Sequence, residues 1–191
     1  MPTTKPNPER EGIWLNPPQP ILYPVDALPL ARHAVLVAEA ELLRGVREVP
    51  PGSNRGPDVE AYQVGLYGDG KNSLEGLRWC ARFVRYCYER GAQEIGEPRP
   101  FLGWRRLGKT SDSDLASASK WEECARLRGS NVFTSNVKFG DVGLFLDPNH
   151  VVLVVGRRGD MVVTIEGNFK DRVAMVVRNP LDFAAVVRVA S

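Results

Sequence analysis

Apolar positions recur with helical spacing from about Leu28 to Gly45. Val35, Leu36, Ala38, Leu42 and Leu43 form the stripe, and Gly45 supplies the stop. Residues 50–58 (PPGSNRGPD) are a dense turn cluster and predict a loop. A short helix over 59–64 and a second loop over 67–73 follow. From Leu77 to Gly91 two stripes separate. Arg78, Arg82, Arg85 and Glu89 make a polar face, and Cys80, Val84 and Cys87 make an apolar one. Gly91 reads as the helix stop. Residues 96–119 look irregular, with Trp104 as an anchor, and a further helix is expected over Ser119–Arg128.

At Asp141 the period changes to that of strands. Five valine-rich runs follow: 142–146, 151–156, 162–166, 173–178 and 184–189. Their connections are too short for crossover helices, so the sheet should be antiparallel. Helices first and a meander second make an α+β chain, with N-terminal helices packed on a sheet of about five strands. Eight prolines lie among the first 29 residues. Residues 1–28 are therefore expected to be an extended arm, and 29–191 the folded domain. Trp14, Leu15, Ile21, Leu22 and Tyr23 give part of that arm a reason to lie on the domain surface.

The chain has 191 residues, 43% of them hydrophobic and 25% charged. That is one globular domain, and it excludes a disordered chain, a collagen-like repeat or a coiled-coil rod. No apolar run approaches the ~18 residues of a membrane span. A net charge of +2 is too small for a nucleic-acid surface. Residues 71–128 are mildly basic, with 12 Lys or Arg against 8 Asp or Glu, which suits an acidic polymer. The N-terminus lacks the apolar core of a signal peptide, so delivery to an external substrate would need other machinery. Three cysteines argue against a disulfide framework, and no CxxC pair suggests zinc.

There are two histidines, His33 and His150, so histidine chemistry has two candidate bases. Cys80 sits near the start of its helix, where free N–H groups stabilise a thiolate. A buried helix cysteine is also an ordinary core residue. His150 opens a strand, and the next strand returns beside it. With the turn centred near residue 158 or 159, His150 lies opposite residues 166–168. An even register puts Glu166 and Asn168 on its face. An odd register puts Gly167 opposite and turns both side chains away. A carboxylate or amide beside the imidazole is what a catalytic base needs to fix its tautomer. Cysteine, histidine and an orienting residue are the parts of an acyl-transfer site.

The order of these motifs carries a resemblance. LeuArgTrpCysAlaArgPheVal, then GlyAspVal and AsnHisVal, then ThrIleGluGlyAsn resemble the CHAP domains of peptidoglycan amidases and endopeptidases. These are relatives of the NlpC/P60 peptidases in the papain-like superfamily. The lead-in GlyValArgGluValProProGlySerAsnArgGlyProAspValGluAlaTyr is similar as well, and the likeness spans about residues 30–180. It implies a papain-like fold, Cys80 as nucleophile, His150 as base, and Glu166 and Asn168 as orienting residues. It also implies cleavage of a wall-peptide amide through an acyl-enzyme, with the Cys80 N–H and a neighbour holding the oxyanion. Three departures stand out. His150 is followed by Val151-Val152 rather than a small residue and Gly. The Asp-rich calcium loop of some relatives is missing, so no metal and no cofactor are expected. No wall-binding repeat is present.

Asn54 and Arg55, with Asp58, are candidates for a substrate groove, and Trp79 and Trp104 for its walls. A solvated loop and core packing are the plain alternatives. Arg105-Arg106 and Arg157-Arg158 read as solvated surface, and Gly68-Asp-Gly70 lacks the Lys-Ser/Thr of a phosphate loop. The expected partner is a peptidoglycan peptide, reached after phage lysis or specialised secretion. An immunity or delivery protein is a further implied partner class, and the chain is expected to be a monomer. Two other functions fit the same residues: a non-catalytic wall- or protein-binding module, and a papain-like acyltransferase or deamidase.

Overall fold

The computed structural model describes residues 12–67, 77–101, 115–146 and 149–189. Gly68, Asp69, Gly70, Trp104, Arg105 and Arg106, singled out above, lie outside the described residues.

The fold is α+β: four helices precede and flank one antiparallel sheet. Helix α1 spans Pro29–Leu43, α2 Pro57–Val64, α3 Cys80–Glu94 and α4 Ala118–Arg128. Strand β1 is Ile13–Trp14, β2 Asn131–Val132, β3 Val142–Leu146, β4 Asn149–Arg158, β5 Met161–Phe169, β6 Arg172–Arg178 and β7 Ala185–Val187. The sheet order is β1-β6-β5-β4-β3-β7-β2, so seven strands are joined among the described residues rather than about five. The two additions are two-residue edge strands, too short to leave a periodic signal.

Local signals set most boundaries. Pro29 opens α1, and Gly45 lies past its end at φ 69°. Ser117 caps α4 by accepting from the Lys120 N–H, and Gly129 closes it in the left-handed region. Gly91 does not stop α3, which continues to Glu94. It marks a helix crossing instead. A Cβ there would stand 2.8 Å from the Ala34 backbone nitrogen of α1.

The polar stripe within α3 is also buried. Arg82, Arg85 and Glu89 are each at most 5% exposed. Arg85 pairs with Glu89 one turn on at 3.0 Å, and Arg82 donates to the Gln63 carbonyl at 2.6 Å. Packing on both sides of α3, by α1 and α2 and by β4 and β5, overrides the amphipathic reading.

The main core lies between the helices and one face of the sheet, around Trp79, Phe83, Tyr88, Leu144, Leu153, Ile165 and Met175. The opposite face carries Val152, Val154, Val162 and Val186 with Phe145 and Phe183.

The arm is not separate from the domain. Ile13 and Trp14 pair with Val177 and Val176 of β6. Leu15 donates to the Met175 carbonyl at 2.9 Å and is 9% exposed. Tyr23 donates to Glu39 at 2.5 Å and packs edge-on against Phe139. The boundary at residue 28 is therefore corrected: from residue 12 onward the arm covers an edge of the sheet. Leu15→Ala should cost about 2 kcal/mol in chemical denaturation, the lower end for a buried leucine. A chain beginning at Pro29 should unfold at lower denaturant than the intact protein. Equal midpoints for both chains would return the arm to the role of a spacer.

Candidate active site

Helix α3 begins at Cys80, and its first turn meets the start of β4. Cys80 is 3% exposed. Its sulfur lies close enough to His150 and to the backbone N–H groups of Val151 and Ala81 for all three to favour its charged form. Burial pushes the thiol pKa up. The His150 hydrogen bond and charge, aided by the two N–H groups, outweigh that and bring it below the ordinary 9.0.

His150 Nε2 lies 2.8 Å from Glu166 Oε2, which leaves Nδ1 for the thiol. Burial works against a charged ring, but Cys80 and then Glu166 raise the His150 pKa to about 9. Glu166 is fully buried. Arg178 grips both of its oxygens, Nε to Oε1 at 2.8 Å and a terminal nitrogen to Oε2 at 2.7 Å. Thr164 donates its hydroxyl to Oε1 at 2.6 Å. Burial alone would raise the carboxyl pKa. Arg178 first and His150 second hold it at about 2. The guanidinium of Arg178 rests 5.1 Å from the Phe145 ring centre and 5.4 Å from that of Phe169. Cys80, His150, Glu166 and Arg178 thus form one line of alternating charge.

Strand register explains why the line closes. The β4–β5 hairpin starts with the pairs Arg158↔Met161, Arg157↔Val162 and Gly156↔Val163, an odd register. Continued unchanged, it would turn Glu166 away from His150. A bulge at Val155 absorbs one residue, and the pairs become Val154↔Thr164 and Leu153↔Ile165. Glu166 then falls diagonal to His150 on the same face.

A second irregularity separates the two expected orienting residues. The β5–β6 register slips between Glu166 and Phe169, and Asn168 sits at φ 60°. Its amide lies 2.7 Å from that of Asn54. With its amide turned, and that of Asn54 turned with it so that an N–H faces the Asn168 oxygen, it donates to Glu48 Oε1 and accepts from the Trp79 backbone N–H, both at 3.2 Å. Asn168 therefore leaves the histidine and braces Trp79, the residue before Cys80. Gly167 between them is needed for space. A Cβ there would lie 2.6 Å from Phe83 Cβ and 2.8 Å from the Trp79 ring.

The chain matches no family model, no curated protein and no solved structure.

The remaining candidates are placed as follows. Asn54 is half-buried against Asn168, and Arg55 is exposed on the same loop. Trp79 is fully buried, donates to Glu48 and packs on Tyr62 and Phe83. It is a core residue, not a groove wall, which corrects its assignment to substrate binding. Cys87 is buried, and burial with the nearby Glu41 pushes its thiol pKa well up. His33 has an acidic neighbour that sequence did not suggest, Glu94 at 3.7 Å. Glu94 ends α3 and Cys80 begins it, about 21 Å apart at the helical rise. No cluster of three metal-binding side chains occurs, and no helix is long and apolar enough to cross a membrane, among the described residues. A cavity of about 580 Å³ lies elsewhere, lined in part by Leu28, Lys138, Asp141, Arg157 and Arg188. Arg157 is seven residues along β4 from His150, roughly 23 Å, so this cavity does not serve Cys80.

Sequence reasoning missed Arg178, Thr164 and Glu48. A signal existed for the first two. Thr164, Glu166 and Arg178 interrupt valine runs at positions that share one sheet face.

Removing Arg178 strands a buried carboxylate. Arg178→Ala should cost about 3–5 kcal/mol by denaturant titration, well above a surface arginine. The pH dependence has two sides. The Glu166 pKa is lowered from 4.5 to about 2, so its stabilisation is present above pH 4.5 and lost as pH falls through 2. The His150 pKa is raised from 6.5 to about 9, so its contribution is complete below pH 6.5 and lost as pH rises through 9. Thermal unfolding of Glu166→Gln from pH 2 to 5 should show a flatter slope than the native chain.

Proposed function

We propose that this protein is a papain-like cysteine amide hydrolase acting on the peptide of cell-wall peptidoglycan. The observation that carries the reaction class is the buried line from Cys80 through His150 to Glu166, at the N-terminus of a helix. A core cysteine needs no imidazole. A strand-end histidine needs no buried carboxylate clamped by arginine. The substrate class rests on the likeness of the Trp-Cys-Ala and Glu-Gly-Asn segments to CHAP domains. Access to the wall then follows phage lysis or specialised secretion.

In this reading the Cys80 thiolate attacks the amide carbon. The developing oxyanion is held by N–H groups at the start of α3, Cys80 and a neighbour. Protonated His150 gives its proton to the leaving amine, and a thioester remains. His150, now neutral, takes a proton from water as the water attacks the thioester. The acid product leaves and the thiolate–imidazolium pair is restored. Glu166 holds the ring in the useful tautomer throughout and stabilises its charged form.

Purified sacculi incubated with the native chain should release peptide-containing fragments with new amine and carboxyl ends by mass spectrometry. Cys80→Ala should release none. Activity should be bell-shaped in pH, rising as Cys80 loses its proton and falling as His150 loses its own near pH 9. Glu166→Gln should lower turnover about 10–1000-fold, less than Cys80→Ala. Iodoacetamide should label Cys80 ahead of Cys87 and Cys124. An inert Cys80 beside a labelled Cys87 would reject the hydrolase.

A further inference from the structure

We propose that Glu48 is a positioning residue that sets the helix terminus from which Cys80 works. The inference rests on the hydrolase reading of Cys80 and adds to it a role for a residue outside the Cys80–His150–Glu166 line.

Glu48 is 1% exposed. It makes no ion pair among the described residues, so neutral donors must satisfy its carboxylate. Three converge on it. The Trp79 indole N–H donates to Oε1 at 2.9 Å, and the Asn54 backbone N–H donates to Oε2 at 2.7 Å. The Asn168 amide donates to Oε1 at 3.2 Å. The backbone of Glu48 is itself fixed, because its N–H donates to the Asp171 carbonyl at 2.8 Å.

These partners come from three places that matter to the nucleophile. Trp79 is the N-cap of α3 and precedes Cys80 directly. No side chain caps that terminus, so Trp79 must be held by other means. Glu48 holds its indole, and Asn168 accepts from its backbone N–H. Asn168 follows Glu166 by two residues on β5. Glu48 therefore ties the residue before the nucleophile to the strand that carries the histidine's carboxylate. The thiol and the imidazole belong to different elements, and their alignment depends on such a tie.

A carboxylate suits this place better than an amide. Both oxygens accept, and donors approach both. Glutamine would keep one acceptor and aim an N–H₂ at an N–H. The expected result is a tilted Trp79 and a thiol set less well against His150 and the Ala81 N–H.

The test is the pH profile of Cys80 alkylation by iodoacetamide in the full chain, followed by peptide mapping. Glu48→Gln should slow labelling at neutral pH about tenfold and move the midpoint up by about one pH unit. Asn168→Ala should reproduce the effect, and serves if Glu48→Gln does not fold. The double variant should be no slower than the slower single one, since both act through Trp79. Glu48→Asp, which keeps both acceptors, should recover part of the rate. A lower melting temperature with an unchanged alkylation profile in both single variants would overturn the inference and leave the hydrolase standing. A Cys80 that is inert in the native chain would overturn both.

Discussion

A fully buried carboxylate, Glu166, is the constraint around which this site is organised. A charge removed from water is costly unless it is met by opposite charge and hydrogen bonds. Arg178 meets both oxygens, Thr164 meets one, and His150 takes the remaining direction. A positively charged imidazole is thereby favoured in a place where burial alone would neutralise it. That imidazolium in turn favours a thiolate at Cys80, against the burial of the sulfur. Each group is costly alone and acceptable in line, so stability and reactivity share the same contacts.

The line reaches further than its four members. Arg178 closes β6, and β1 of the N-terminal arm pairs along that strand. Gly12, just before β1, sits so close that a Cβ would lie 2.5 Å from Val176 Cγ1 and 2.9 Å from Arg178 Cζ. Its φ of 70° also belongs to the region that favours glycine. The arm is thus part of the wall that keeps water from the guanidinium. A segment that reads as a proline-rich spacer contributes to how firmly Glu166 is held.

Much of the fold was legible because it rests on local signals. The five valine runs all appear as strands, and Gly45, Gly129 and Pro29 mark helix ends. The first two members of the line were legible too, since cysteine and histidine are scarce here and each opens an element. What could not be read depends on pairing. The Val155 bulge decides whether Glu166 faces His150, and nothing in a run of valines announces it. The burial of Arg82, Arg85 and Glu89 depends on α1, α2 and the sheet closing around α3, which no stripe on α3 alone reveals. Asn168 was expected beside the imidazole because strict alternation places it there. A left-handed residue at that point breaks the alternation.

The three residues Glu166, Gly167 and Asn168 show how one short stretch serves both His150 and the start of α3. Glu166 points to the histidine. Gly167 removes the side chain that would hold α3 off the sheet, and so lets the helix carrying Cys80 come close. Asn168 bends away to the N-cap residue of that same helix. Glu166 sets the imidazole, the glycine sets the spacing of helix and strand, and the amide sets the terminus that carries Cys80. A regular strand could not do all three, because adjacent side chains would point to opposite faces and none would reach around the rim. The irregularity in β5 is therefore what allows a single strand to hold both His150 and the Trp79–Cys80 junction in place.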